Sequence, residues 1–124
     1  MRELLRYDSP VQYTGRRVTT ALTLHGQALQ RGDLVVPLIG AANRDPARHP
    51  EPDRLDIAGR DGGSVSFGSG PHVCIGAMLT RMEAEVTLRL LLQRMPRLRL
   101  AEGPPQWVAN PAYRGLQQLH VVTG

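Results

Sequence analysis

Thirteen glycines and ten prolines punctuate this chain of 124 residues. They leave one stretch free of both that is long enough for a helix of several turns, Ala77 to Met95. Ile75, Leu79, Met82, Val86 and Leu90 follow helical spacing and share one face. Leu88, Leu91, Leu92 and Met95 widen that stripe, which predicts a substantially buried helix. Arg81/Glu85 and Glu85/Arg89 stand at i,i+4 ion-pair spacing on the outer side, and Pro96 ends the helix. Glu3 to Tyr7 also reads as helical but is barely two turns long, a length that is marginal in isolation and suggests a piece of something longer.

Between these helices the punctuation dominates. From Val11 to Leu38, apolar stretches alternate with turn signals at Thr14-Gly15, His25-Gly26 and Gln30-Arg31-Gly32-Asp33, the pattern of small antiparallel hairpins. Ile39 to Asn43 predicts a helical turn, closed before Pro46. Residues 44–66 carry Asp45-Pro46, His49-Pro50, Glu51-Pro52 and Gly62-Gly63 and read as one long irregular loop, a feature usually kept for function. Leu98-Arg99-Leu100 alternates like a strand, and Trp107 to Val122 reads as a closing hairpin.

The chain is 41% hydrophobic and 21% charged, which fits one folded domain. Aromatic residues make up only 4%, so the core is thin and a bound cofactor or partner would help to stabilise it. All fifteen basic residues are arginine. Scattered among Asp and Glu, they read as a solvated surface; the net charge of +4 could attract an acidic partner, but with no cluster of Arg and no aromatic platform no nucleic-acid partner is expected. One cysteine excludes an internal disulfide and a CxxC zinc site. Without a signal h-region or a membrane-length apolar run, a cytoplasmic protein with no membrane partner is expected.

That cysteine, Cys74, stands at the end of the Gly-rich turn Phe67-Gly68-Ser69-Gly70-Pro71-His72-Val73-Cys74-Ile75-Gly76 and at the start of the long helix. The helix dipole and unpaired N–H groups there favour a thiolate. Gly68, Gly70 and Gly76 permit backbone geometry and close approach that a side chain would block. His72 can offer a hydrogen bond or positive charge to an anionic group nearby. A flat, anionic, metal-bearing ligand laid across the turn would use all three features. A lone cysteine, however, is most often a small buried hydrophobe. A Cys–His nucleophile also stays open, although no third orienting group is evident. Zinc is poorly served, since His25, His49 and His120 lie at no ligand spacing, and the Gly-x-Gly lacks the Lys-Ser/Thr of a phosphate loop.

Phe-Gly-x-Gly-x-His-x-Cys-x-Gly, from Phe67 to Gly76, resembles the haem-binding loop of the cytochrome P-450 haem-thiolate monooxygenases, especially the soluble bacterial type. The continuation Ala77-Met78-Leu79-Thr80-Arg81-Met82-Glu83 is similar to the family's following helix. Glu3-Leu4-Leu5-Arg6 resembles its Glu-x-x-Arg signature, and Arg16 falls where the family places a propionate-pairing arginine. Ala42-Asn43-Arg44-Asp45-Pro46 with Pro52-Asp53-Arg54 is similar to its meander, and Arg114-Gly115-Leu116 to its closing hairpin.

The resemblance, running from residue 3 to about 121, implies a mixed α and β architecture. It would be a C-terminal fragment of the mainly α cytochrome P-450 fold, with residues 1–124 a single partial domain and the distal half absent. It implies haem b (iron protoporphyrin IX) ligated by Cys74, with His72 and Arg16 neutralising propionates, Phe67 packing beneath the macrocycle, and Gly68, Gly70 and Gly76 shaping the loop. Glu3, Arg6 and Arg54 would form a charged triad, and Val11 would lie at the substrate edge. The implied partners are a small organic substrate and a ferredoxin- or flavodoxin-type electron donor. The implied activity is insertion of one oxygen atom of O2 into the substrate, with the isolated chain expected to turn over little; the alternative is a truncated, non-catalytic haem-binding or remnant protein. Some positions depart from the pattern. His49 and Leu55 replace aromatics, Gly59 and Ser64 stand where basic and His residues are common, and His120 replaces a proline, which together suggest looser packing.

Overall fold

Glycine at a left-handed position is what folds the hairpins of the first half. The computed structural model describes residues 1–58 and 63–124, so Gly59 and Gly62 lie outside the described residues. Helix α1 spans Arg2–Tyr7. Strands β1 (Arg16–Arg17) and β4 (Leu34–Val35) pair antiparallel, with Arg16 opposite Val35. Between them β2 (Leu22–Leu24) and β3 (Gln27–Leu29) form a hairpin. Its turn residues, His25 at φ 47° and Gly26 at φ 80°, have the sign that matches the right-handed twist of paired strands. The β1–β4 ladder extends both ways, through Thr14 N–H to Pro37 O (3.1 Å) and Val18 N–H to Asp33 O (2.9 Å).

Helix α2 covers Ile39–Ala42, and residues 44–58 and 63–66 contain turns but neither helix nor strand. A 3₁₀ turn at Gly70–His72 leads into helix α3, Ala77–Arg94. The last quarter forms two further antiparallel pairs, β5 (Arg99–Leu100) with β8 (Val121–Val122) and β6 (Gln106–Trp107) with β7 (Leu116–Gln118). The closing hairpin is therefore β6–β7, and the chain end pairs back onto the strand that follows α3.

The centre of the molecule is polar. Among the described residues only Val18 and Ile39 are buried hydrophobes, whereas Arg6, Ser9, Asn43 and His49 are buried polar or charged side chains. Asn43, at 1% exposure, organises this centre. Its amide nitrogen donates to Ser9 Oγ (2.7 Å) and Ser66 Oγ (2.8 Å), and its Oδ1 accepts from Val65 N–H (2.9 Å). Ser66 Oγ in turn donates to the Leu5 carbonyl (2.7 Å). Helix α1, the end of α2 and the segment before the Gly-rich turn are thus joined through one side chain. Buried polar groups that are satisfied in this way hold their neighbours in one arrangement.

Helix α3 departs from expectation in its burial. Its bounds agree with the apolar run to within one residue, but none of its residues is buried, and Leu79, Met82, Val86 and Leu90 are all exposed. The stripe is present in the sequence, yet no described element packs along it. The expected Arg81/Glu85 and Glu85/Arg89 pairs are not formed among the described residues either. Arg81 instead lies 5.2 Å over the Phe67 ring. Among the described residues no helix is long and apolar enough to cross a membrane.

Replacing Asn43 with Ala leaves Ser9, Ser66 and the Val65 amide without their shared partner. The expected cost is about 1–3 kcal/mol, the range for stranding a buried polar group, read as a lower urea midpoint. An unchanged midpoint would remove Asn43 from this role.

Candidate cofactor-binding site

The segment from Phe67 to Cys74 closes on itself. Cys74 N–H donates to Phe67 O (2.9 Å), Val73 N–H to Gly70 O (3.0 Å) and Gly68 N–H to Val65 O (2.8 Å). Gly68 and Gly70 both sit at φ 76°, a conformation strained for any residue with a β-carbon, so the loop requires glycine at these two positions. Gly76 differs: it caps α3 at φ −80°, a conformation open to any residue. A β-carbon there would lie 3.8 Å from Cys74 Sγ, an ordinary van der Waals contact, so space in this structure does not demand glycine at this position. Cys74 is exposed, two residues before the helix cap, which excludes the buried-hydrophobe reading.

The thiol opens onto an apolar cavity of about 370 Å³. Phe67, Gly68 and Cys74 form one side of it, Val11 and Thr14 belong to the segment that follows α1, and Leu5 and Ile39 supply further wall. Of the residues singled out in the sequence, the cavity brings together Cys74, Phe67, Gly68 and Val11. His72, Gly70 and Gly76 shape or flank the loop without lining the cavity. Arg16 is exposed, and its guanidinium donates to Thr14 Oγ1 (3.0 Å) and Gly15 O (2.8 Å), so it reaches the wall residue Thr14.

Glu3 and Arg6 belong to α1, the helix that supplies the wall residue Leu5. They form a two-pronged pair, Arg6 Nε to Glu3 Oε2 and Arg6 Nη2 to Glu3 Oε1, both 2.7 Å. The remaining N–H groups of Arg6 reach Asn43 O (2.9 Å), Pro52 O (3.0 Å) and Arg54 O (3.1 Å). Arg54 therefore meets the pair through its backbone carbonyl. Its guanidinium turns outward to Glu51 (3.1 Å) and takes no part in a side-chain triad. The Arg6 hydrogen bonds, the Asp56 N–H bond and nearby positive charge, including His49, hold the Glu3 carboxyl at about 2, against an opposing desolvation effect. The same contact raises the Arg6 pKa.

A family description, Cytochrome P450, matches residues 1–103. The chain belongs to the cytochrome P450 family. Among bacterial P450 relatives it is 42% identical over 121 residues to the biotin biosynthesis cytochrome P450 of Bacillus subtilis, covering 96% of this chain and 30% of that protein. It is 41% identical over 122 residues to the cytochrome P450 monooxygenase PikC of Streptomyces venezuelae, covering 96% and 29%. The solved structure of P450BioI, in complex with an acyl carrier protein ligated to hexadec-9Z-enoic acid, superposes with a TM-score of 0.93 at 41% identity, over 97% of this chain and 31% of that one. CYP109E1 from Bacillus megaterium, in complex with testosterone, gives 0.92 at 35% identity, over 97% and 34%. The chain thus spans about a third of the length of these P450s and corresponds to their C-terminal part.

A P450 carries haem whose iron is held by a cysteine, and the residues here fit that group. Cys74 is the chain's one cysteine and is exposed, so it is the residue that would ligate such an iron. The adjoining cavity is apolar, as a macrocycle requires, and Cys74, Phe67 and Gly68 all line it. Sequence reasoning missed Leu5, Pro10, Thr14, Ile39, Ser66 and Thr80 as walls. Thr80 had a usable signal: four residues after Gly76 on α3, it shares the face nearest the sulfur. Ser9 and Ser66 gave none, because short polar residues in loops are common, and Asn43 was legible only as part of the meander motif.

Glu3 ionises near 2 in the folded chain against its ordinary value of 4.5, so the stability it lends is complete above about pH 4.5 and fades as pH falls toward 2. Acid unfolding followed by circular dichroism should therefore show a limb between pH 4.5 and 2 that flattens in Glu3→Gln. An identical limb in the variant would exclude this carboxylate as its source.

Proposed function

We propose that residues 1–124 act as the proximal haem-binding portion of a haem-thiolate monooxygenase, with Cys74 as the iron ligand. The observation that carries this reading is the exposed Cys74 thiol on the rim of an apolar cavity, at the entry to α3. Cys74 binds as the thiolate, held in place by its own N–H bond to Phe67 O and favoured by the helix end that follows. Phe67 packs beneath the macrocycle. Gly68 and Gly70 bring the loop backbone close, and Gly76 caps α3 two residues after Cys74. His72 and Arg16, both exposed cations or donors, meet the propionates, and Arg16 is already tethered at Thr14. Val11 and Pro10 meet substrate at the cavity edge, where apolar walls exclude water. Glu3 and Arg6 hold the meander against α1, with the Arg54 carbonyl as their third member.

When bound, haem b supplies activation of O2, and the thiolate pushes electron density that favours O–O cleavage. The whole protein's reaction is insertion of one oxygen atom into a small organic substrate, fed by a ferredoxin- or flavodoxin-type donor in the cytoplasm. Haem carriage without turnover is the second reading, and the exposure of both Cys74 and the α3 stripe favours it for this chain studied alone.

Hemin titration of the purified chain tests the ligand assignment. The reduced, carbon-monoxide-treated protein should give the red-shifted thiolate band, and Cys74→Ala should abolish it. A colourless chain, or a band indifferent to Cys74→Ala, would refute the assignment. Reductant consumed in step with substrate oxidation would decide for turnover over carriage.

A further inference from the structure

The cavity wall contributed by Pro10 and Val11 belongs to no helix or extended strand. It is held by the loop at 110–115. Val11 bridges antiparallel to Tyr113, Gln12 N–H donates to Ala112 O (2.9 Å), and Arg114 N–H donates to Pro10 O (2.7 Å). One side chain of that loop, Arg114, makes its side-chain links to α1 and β6. The Arg114 guanidinium lies 4.0 Å over the Trp107 ring of β6, and its Nε pairs with Asp8 Oδ1 at the C-cap of α1. Arg114 does not line the cavity that opens onto Cys74. One side chain therefore joins the end of α1, the wall segment and the C-terminal pair β6–β7.

We propose that Arg114 is a positioning residue that fixes Pro10 and Val11 as a wall of the ligand cavity. The role deepens the haem-site reading and rests on it for its functional meaning. The ion pair is half exposed, so neither it nor the ring contact is strong alone. Because both act on the same short loop, removing them together should speed local opening about tenfold.

Amide hydrogen exchange on the full chain tests this directly. Arg114→Ala should raise the Gln12 exchange rate about tenfold while leaving Asn43, whose N–H bonds to Ile39 O, unchanged. Asp8→Asn, which removes only the ion pair, keeps the test available if Arg114→Ala fails to fold, and should give a smaller change at the same amide. Emission from Trp107, the one tryptophan, reports loss of the stack. Hemin affinity should fall in Arg114→Ala and recover in part in Arg114→Lys. Equal rises at Gln12 and Asn43, or no rise at either, would overturn the proposal, as would unaltered hemin affinity in a variant with a mobile Gln12. If the unmodified chain takes up no hemin, the haem reading fails, and the exchange pattern still decides the role of Arg114.

Discussion

A guanidinium carries five N–H donors and cannot be neutralised, so burying one requires the protein to surround it with acceptors. Arg6 is buried and meets that requirement in full: Glu3 takes two donors and the carbonyls of Asn43, Pro52 and Arg54 take the other three. Those carbonyls come from the C-cap of α2 and from the irregular segment after it, and they converge on Arg6. Removing one partner of such a contact is costly, because the other charge is left buried without compensation. The irregular stretch is ordered from within by a cation.

The same logic continues one layer outward. Asn43, whose carbonyl serves Arg6, uses its side chain to hold Ser9, Ser66 and the Val65 amide. The residue after Ser66 is Phe67, where the cysteine loop closes. A path of hydrogen bonds thus runs from the Glu3–Arg6 pair through Asn43 to the loop that presents Cys74. The cavity has two supports, this polar centre on the side of Phe67 and Gly68, and the Arg114 junction on the side of Pro10 and Val11. Arg44 reinforces the first support, donating through Nε to Tyr7 O (3.1 Å) while its guanidinium stacks on the Tyr7 ring and pairs with Asp53.

What the sequence made legible is what local chemistry governs. The bounds of α3 follow from Gly76 and Pro96, the β2–β3 turn from His25-Gly26, and the shape of the cysteine loop from Gly68 and Gly70. Positions decided by distant partners were not legible. The Glu-x-x-Arg spacing indicated an ion pair but could not tell whether Arg54 would enter by its side chain or its carbonyl. The apolar stripe of α3 spoke for burial, yet a stripe records only what a helix can bury, and here no described element covers it. Arg81 showed the same ambiguity: spacing offered Glu85, and tertiary structure offered the face of Phe67.

The scarcity of buried hydrocarbon at the centre has a thermal consequence. The heat capacity gained on unfolding comes chiefly from newly wetted apolar surface, while wetting polar groups lowers it. A chain whose interior is built around an arginine, an asparagine and serines, and which already exposes its helix stripe to solvent, has little such surface left to wet. Its free energy of unfolding should vary with temperature as a broad, shallow curve, with no sharp optimum and little tendency to come apart in the cold.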